Sequence, residues 1–514
     1  MGAALAAVAV LTACVSAPPT ELASPVPERW RAPVLAGQPK TMANADPDVP
    51  HSGSVEQLLN WWGGWNDPLL VDLIAAAQGN SPSLASAAAR IAQARLGETA
   101  ATAAMLPTLG GAANVTRAPM TQAPFAGTIV NTHVLGAQLQ WEIDLFGGLN
   151  HARRASGARL NAAQAAWHDA RVSLAADVAN QYFGLRACQR GLEIVQADVI
   201  SQQETARLTA HLERAGFAAP ATLALAEAGA AQAQVQRLQL EAQCTAAIKG
   251  LSTLTAMDED ILRARLQQPA SPQPPPLMVA SVPAQVLAQR PDVYAAAQAL
   301  AAASGDVGHA KTQRLPHLTF SGNIGRTLLT SALPQLDNTR MTVWSVGPLG
   351  LSMPLFDWGR ISANVHSNKV QYEAAALQYH AALRNAVRDV ETALVNLHSA
   401  RERQTSMQVA VRGFEKSFTA ANAKYKAGMG SMLELENARR NLNMARQGQS
   451  QLQQQTESAW VALYRALGGG WTPAANPTRA DHDLIEAGEA TRRAQQARPA
   501  AQPAPPTSST AAHP

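Results

Sequence analysis

Two stretches of this chain, residues 145–256 and 355–468, are copies of one unit. Gly147 in the first copy aligns with Gly359 in the second, and the offset of 212 positions then stays constant through the aligned stretch. One inserted residue would turn the apolar face of a helix by about 100°, so a long gapless match is typical of uninterrupted helices. The duplication therefore predicts two rigid helical hairpins, at 148–256 and 360–468.

Each hairpin is preceded by segments that alternate like strands. Apolar and polar residues alternate from Leu135 to Leu145, with the two-residue period of a strand. Such alternation suits a transmembrane β-barrel, with lipid outside and water inside, and it equally suits a soluble sheet with one buried face. The last strand alternates less cleanly and contains Pro348 and Pro354. The predicted strands are 108–118, 128–146, 317–328 and 341–356.

Composition limits the functions that fit. The chain has 514 residues, 47% of them hydrophobic but only 5% aromatic, and its 41 Lys and Arg residues against 37 Asp and Glu give a net charge of +4. It contains no Lys/Arg-rich run and no basic segment interleaved with aromatic residues, which argues against nucleic-acid binding. The His residues are scattered and no phosphate-binding loop or nucleophile elbow occurs, so we expect neither catalysis nor a cofactor.

The first residues indicate export. Gly2 to Leu11 is apolar, and Leu11-Thr12-Ala13-Cys14 resembles the bacterial lipobox, in which the signal is cut before a lipid-bearing Cys. This pattern predicts a signal peptide at 1–13, lipid attachment at Cys14 and a Pro/Ser-rich tether at 14–54. The leader lacks the usual Lys or Arg before its apolar run, and the alternative is an ordinary secretory signal with a chance Cys. Val15-Ser16, without Asp at the second position, fits sorting to the outer membrane.

Three motifs then resemble one known family. They are Trp61-Trp62 with Trp65-Asn66-Asp67-Pro68, Gln289-Arg290-Pro291-Asp292-Val293, and Ala466-Leu467-Gly468-Gly469-Gly470-Trp471. In this order, on a duplicated scaffold, they are similar to the outer-membrane factors of tripartite efflux systems, which are TolC-like channels, and to their NodT-type lipoprotein branch. The resemblance covers about 55–472. It implies a first repeat at 55–256, an equatorial linker and the start of the second half at 257–305, a second repeat at 306–472, and a disordered tail at 473–514.

The family resemblance implies a mixed α and β membrane protein. Each protomer would give four strands to a trimeric twelve-stranded β-barrel that continues into a long α-helical periplasmic barrel. The implied partners are two further copies of the chain, a periplasmic adaptor protein, and an inner-membrane pump, most simply of the RND type. The implied function is a passive exit duct for small molecules through the outer membrane of a Gram-negative bacterium. The alternatives are the outer component of a type I protein secretion system and a lipid-anchored periplasmic coiled-coil scaffold.

In this family the hairpin tips carry the gate. Where relatives commonly have two Asp residues, this chain has Gly430 and Asn437, so an aspartate ring is not carried over. The nearest carboxylates, Glu434 and Glu436, are candidates for an acidic constriction that would favour cations. Their candidate partners in bonds between protomers are Tyr425, Lys426 and Arg439. The alternative is a solvated helix face. The first tip, 214–220, has no acid until Glu227 and reads as an adaptor-docking surface.

Two cysteines lie symmetrically about the first tip. Cys188 precedes Gly216 by 28 residues and Cys244 follows it by 28, so antiparallel helices would place them at similar height. A disulfide is possible in an oxidising compartment. A shift of one helical turn would separate the two residues by about 5.4 Å, so we expect two buried free thiols instead.

Overall fold

The structure is a computed structural model that describes residues 16–22, 27, 29–32, 61–121, 124, 126–268, 287, 290–331 and 339–471. The predicted signal peptide, Cys14, most of the tether, and the tail at 473–514 lie outside the described residues. The first described elements of regular structure are a 3₁₀ turn at Trp61–Trp65 and helix α1 at Pro68–Asn80.

The predicted duplication is a repeat of five elements, a helix, two strands and two long helices. In the first copy these are α2 (Pro82–Ala103), β1 (Thr108–Pro119), β2 (Ile129–Ile143), α3 (Gly148–Arg214) and α4 (Pro220–Thr255). A short helix, α5 (Glu259–Leu266), follows. The second copy comprises α6 (Pro291–Thr312), β3 (His317–Ser331), β4 (Thr339–Ser352), α7 (Arg360–Lys426) and α8 (Met432–Ala466), and a 3₁₀ turn at Gly468–Gly470 closes it.

The first long helix of each hairpin begins and ends at matched residues. Asp144 accepts hydrogen bonds from the backbone N–H groups of Leu149 (3.1 Å) and Asn150 (2.8 Å) at the start of α3. At the start of α7, Asp357 accepts hydrogen bonds from the backbone N–H groups of Gly359 (3.0 Å) and Ile361 (2.7 Å). Both helices run for 67 residues, and each begins where its predicted hairpin begins. The predicted boundary at 305/306 is wrong as a structural one, because α6 runs across it and is the counterpart of α2.

The four strands form one antiparallel sheet in the order β1-β2-β3-β4. Residues that face each other in such a sheet point to the same side. Leu109, Leu139 and Val346 share one row and one side, with Gly322 between the last two. The next row carries Gln138, Asn323 and Ser345 on the other side. The predicted separation of an apolar and a polar side is therefore present across the sheet.

A β-bulge explains why β4 alternates poorly in sequence. Phe320 pairs with Leu349 and Gly322 pairs with Val346, so Ser321 stands opposite two residues, Gly347 and Pro348. The extra residue returns Leu349 to the apolar side that Val346 occupies before the bulge. The strand ends at Ser352, so the prediction of a strand up to 356 is too long.

The main core lies where the first helices meet the end of the chain's second copy. Trp61 stacks on Tyr464 of α8 with ring centroids 4.8 Å apart, and Trp65 contacts Phe183 of α3 at 4.7 Å. Trp65 and Phe183 are completely buried. None of the described helices combines the length and apolar character that a membrane-crossing helix needs.

Candidate functional site

The hairpin tips are tight turns built on one glycine each. Gly216 and Gly428 adopt positive φ angles of +79° and +73°, which glycine accepts without the steric cost of a side chain. Beyond them, the N–H of Phe217 donates to the carbonyl oxygen of Leu212 (2.8 Å), and the N–H of Met429 donates to that of Lys424 (2.9 Å). These bonds close the ends of the long helices. Both tips therefore have the same backbone geometry.

Near the tips, Arg439 of α8 is bonded to α3 of the first hairpin. Its side chain is only 3% exposed, and its guanidinium donates to the hydroxyl of Thr205 (2.6 Å) and the carbonyl oxygen of Ser201 (3.4 Å). The carboxylate of Asp198 lies 4.0 Å away. Burial raises the pKa of Asp198, while Arg439 opposes that shift. Arg439 therefore ties the two hairpins together within one chain.

The two predicted gate carboxylates differ in surroundings. Glu436 accepts hydrogen bonds from the guanidinium of Arg439 and from the amide of Gln202 (3.2 Å). Glu434 is half exposed, and its carboxylate lies 3.4 Å from the ammonium of Lys424. Its backbone N–H donates to the hydroxyl of the N-cap residue Ser431 (3.1 Å). Glu434 is thus the more accessible of the two, whereas Glu436 belongs to the Arg439 network.

Tyr425 is also turned inward. It is buried, and its hydroxyl shares a hydrogen bond of 2.8 Å with Thr209 on α3. Its ring packs in a small apolar cluster with Ala226, Met432 and Leu435. Lys426 is exposed, near enough to Glu204 to lower the pKa of that carboxyl, although Arg207 is the larger cause.

The structure thus gives Tyr425 and Arg439 hydrogen-bond partners on α3 of the same chain, and their bonds between protomers stay a prediction. These contacts follow from the packing of α8 on α3. The sequence interpretation missed the α3 side of this contact. Its signal is a polar stripe at helical spacing, Asp198, Gln202, Thr205 and Thr209.

The expectation of two free thiols is wrong. Cys188 of α3 and Cys244 of α4 form a disulfide, with their Cα atoms 5.6 Å apart. The turn between the helices folds back without an axial shift, so residues equally far from Gly216 meet. The disulfide joins the main core, in which Cys244 is 6% exposed.

A second network lies at the middle of the molecule and uses the Arg-Pro-Asp motif. The buried guanidinium of Arg290 forms an ion pair with Asp292 (2.7 Å) and reaches Asp389 of α7 (3.3 Å). It also donates to the carbonyl oxygens of Ala386 (3.4 Å) and Ala466 (3.2 Å). Burial opposes the charge of Arg290, but the two carboxylates outweigh it and its pKa is raised. The motif therefore joins α6 to both helices of the second hairpin.

The opening motif has a similar anchor. Asp67 caps α1 and accepts a hydrogen bond of 2.5 Å from the hydroxyl of Tyr182, which in turn accepts one of 2.9 Å from Arg186. Arg186 also donates to the carbonyl oxygen of Leu266 at the end of α5 (2.9 Å). Burial, helped by the bond to Asp67, raises the pKa of Tyr182. This buried relay fixes α1 and α5 against α3.

The described part of the tether runs along the second copy. The carbonyl oxygen of Ser16 accepts a hydrogen bond from Lys311, one residue before α6 ends. Further on, the hydroxyl of Tyr372 donates to the carbonyl oxygen of Pro19 (2.8 Å). The backbone N–H groups of Arg31 and Ala32 both donate to the carboxylate of Glu391 at 2.6 Å. The tether therefore runs from the strand end of α6 toward the middle of α7.

Comparison with known proteins places the chain among outer-membrane channels. It is 30% identical to the pyoverdine export outer membrane protein OpmQ of Pseudomonas putida, over 91% of this chain and 97% of that protein. It is 27% identical to the toluene efflux pump outer membrane protein TtgI of Pseudomonas putida, over 80% of this chain and 87% of that protein. The solved outer-membrane channel OprN superposes with a TM-score of 0.75 at 27% identity, over 89% of this chain and 100% of that chain.

These likenesses confirm the fold class predicted from the sequence, a trimeric twelve-stranded β-barrel continuous with a helical barrel. They also confirm the outer membrane of a Gram-negative bacterium as its location. The model of the family described as "Outer membrane efflux protein" matches residues 73–256 and 282–469, one match for each copy of the repeat. The chain therefore belongs to the outer membrane efflux protein family.

Proposed function

We propose that this efflux channel is a passive exit duct for small molecules, leading from the periplasm to the exterior. The observation that carries the proposal is the direct continuation of each strand pair into a 67-residue helix. At 1.5 Å per residue such a helix is about 100 Å long, which suits a conduit that extends far from the membrane. The names of the relatives, which refer to pyoverdine and toluene, support a small-molecule cargo.

A passive duct needs partners that select and drive its cargo. We propose a periplasmic adaptor and an inner-membrane pump of the RND type as those partners. The tips support docking there, since each exposes large apolar side chains to solvent. These are Phe217 (83% exposed) on the first tip, and Met429 (78%) and Leu433 (65%) on the second. Exposed apolar groups at the end of a charged helical structure mark a protein contact.

The gate belongs to the same proposal. Glu434, as the more exposed carboxylate, would line a threefold acidic constriction with its symmetry mates. The second hairpin would be held against the first in the closed arrangement by Glu436, Tyr425 and Arg439. Lys426 would place its positive charge on the exposed side of the tip. The contacts to Thr205, Ser201 and Thr209 support this division of roles.

Lipid anchoring at Cys14 is supported by the path of the tether. Ser16 is bonded to Lys311, six residues before the first residue of β3. Ser16, two positions after Cys14 in the sequence, therefore lies near the end of the sheet where helices meet strands. Replacing Cys14 with Ser should abolish incorporation of radioactive fatty acid, with Cys188→Ser as the control that leaves it intact. Unchanged labelling of the Cys14 variant would contradict the proposal.

The duct is tested by transport and by conductance together. In cells that lack their own outer-membrane channel, the chain and its adaptor and pump should restore efflux of a preloaded fluorescent dye. In planar bilayers the purified trimer should conduct with no energy source. Restored secretion of a protein substrate without dye efflux would favour a type I secretion system instead. Membership in the efflux family leaves no support for the scaffold alternative, and no catalytic step is part of the proposal.

A further inference from the structure

Three basic side chains meet on the apolar side of the sheet, near the ends that point away from the helices. Leu328 of β3 pairs with His133 on one neighbouring strand and with Arg340 on the other. Arg326, two residues before Leu328, points to the same side. We call His133, Arg326 and Arg340 the basic rim. All three side chains are exposed.

The position of the rim matches the edge of a membrane. Below it, the same side of the sheet carries apolar residues from Ile143 and Leu318 up to Leu135. Ile143 and His133 are ten positions apart, which is about 33 Å along the strand. With a tilt of about 40° this becomes a height of about 25 Å, the usual height of the apolar band of an outer-membrane barrel. The rim therefore stands at the outer boundary of the hydrocarbon layer.

Within the described part of the chain, the basic rim is not matched by acidic side chains. Among the residues that the structure describes, no carboxylate forms an ion pair with Arg326, Arg340 or His133. Glu142 is the one acid within the four strands, and it lies at the opposite end of the sheet. The rim instead borders a surface depression of about 410 Å³ whose apolar wall includes Val115 and Leu135. Positive charge and apolar surface thus meet in one concave site.

We propose that this depression binds the phosphorylated headgroup of a glycolipid of the outer leaflet, of the lipid A type. A guanidinium binds a phosphate through two parallel hydrogen bonds, and two arginines on adjacent strands can reach one phosphate. Diagonal neighbours across a strand pair lie about 7–8 Å apart, within reach of two long side chains. Val115 and Leu135 contact the first part of the acyl chains. Free phosphate has no apolar group that could contact Val115 and Leu135.

The test measures lipid binding by the purified trimer. The probe is diphosphorylated lipid A in detergent micelles, and the variant is Arg326→Gln with Arg340→Gln. Because each arginine near a membrane surface strengthens binding to anionic lipid, we expect the double variant to bind lipid A about thirtyfold more weakly than the wild type. Arg384→Gln with Arg412→Gln removes the same charge from exposed positions of α7 and should bind like the wild type.

A second arm uses the wild-type protein alone, so that it stays informative where the rim variant fails to form trimers. Enzymatically dephosphorylated lipid A should bind at least about tenfold more weakly than the diphosphorylated form. Inorganic phosphate at equal concentration should not displace the lipid. Equal affinity for both lipid forms, displacement by phosphate alone, or wild-type affinity in the folded rim variant would each overturn the proposal.

Discussion

The guanidinium of Arg290 donates a hydrogen bond to the carbonyl oxygen of Ala466, 176 residues further along the chain. Two of the motifs that identify the family are thereby joined, the Arg-Pro-Asp motif and the start of the closing motif. The same guanidinium holds Asp389, so α6, α7 and α8 meet at one positive charge. Loss of that charge would leave helix carbonyls and carboxylates facing each other.

Replacing Arg290 with Gln should lower the free energy of unfolding by about 2–3 kcal/mol, because a buried, multiply bonded charge is lost while its partners remain. Asp292 and Asp389 are about one third exposed, which limits the cost. Arg388→Gln is the control, since that side chain also pairs with Asp389 but is 67% exposed. We expect less than about 1 kcal/mol there. Denaturant unfolding in detergent measures both, and equal losses would contradict the role of Arg290.

Replacing Tyr182 with Phe should cost about 1–3 kcal/mol, because buried Asp67 and Arg186 each lose a hydrogen-bond partner. The effect also depends on pH. The folded state raises the pKa of Tyr182, so the unfolded chain releases this proton first, above about pH 10. Stability from this phenol is full below pH 10 and falls as pH rises further. The Phe variant should show a shallower decline, and Tyr372→Phe, at an exposed hydroxyl, a smaller change at neutral pH.

Replacing Leu139 with Arg should destabilise the folded trimer by about 2–4 kcal/mol, because the side chain would face the middle of the lipid layer. Leu139 shares its side of the sheet with Leu109, whereas Gln140 shares the opposite side with Thr108. Gln140→Arg is therefore the matched control and should cost much less. The yield of heat-resistant trimer on gels compares the two variants. Equal loss from both would show that the assigned sides are wrong.

Replacing Cys188 and Cys244 together with Ser should lower stability by about 4 kcal/mol, the loop-closure value for a separation of 56 residues. Before that comparison, mass spectrometry of the unreduced wild type should find the two peptides linked. Recovery of both cysteines in alkylated form after denaturation without reductant would contradict the disulfide. The single variants test whether one leftover thiol forms links between chains.

Replacing Glu434 and Glu436 together with Ala should raise single-channel conductance and weaken block by divalent cations. Loss of Glu434 would remove negative charge from the constriction, and loss of Glu436 would deprive Arg439 of one of its partners. Glu415→Ala is the control, because that carboxylate is half exposed and pairs with Arg446 away from the tip. Conductance and block like those of the wild type would exclude both residues from the gate.

The bounds of the long hairpins could be predicted to within about two residues because their signal is local and repeated. A gapless offset between two copies leaves no freedom in helix length, and Asp144 and Asp357 mark both starts. The phase of β4 could not be predicted, because the bulge at Gly347 and Pro348 hides its period. Only the pairing with Phe320 shows which residues share a side.

Side-chain partners were harder to predict than elements. Cys188 and Cys244 were placed at equal distances from the tip, but the axial register of two helices follows from packing that the sequence does not display. Arg439 was identified as a tip residue, but its partners on α3 were missed because they lie more than 200 positions earlier in the chain. Arg290 donates to backbone carbonyl oxygens, and because every residue type has one, the sequence does not reveal which residues are its partners.

The disulfide makes the two copies of the repeat mechanically unequal. In the second copy the positions that match Cys188 and Cys244 hold Ala400 and Thr456, which cannot form a covalent link. The helices of the first hairpin cannot slide along each other at this height without breaking a bond. Those of the second are held there by non-covalent contacts, such as the guanidinium of Arg401 over the ring of Trp460. Axial sliding of paired helices therefore requires breaking a covalent bond in the first hairpin and only non-covalent contacts in the second. The two copies of one duplicated unit thus differ in how firmly their helices are fixed in register.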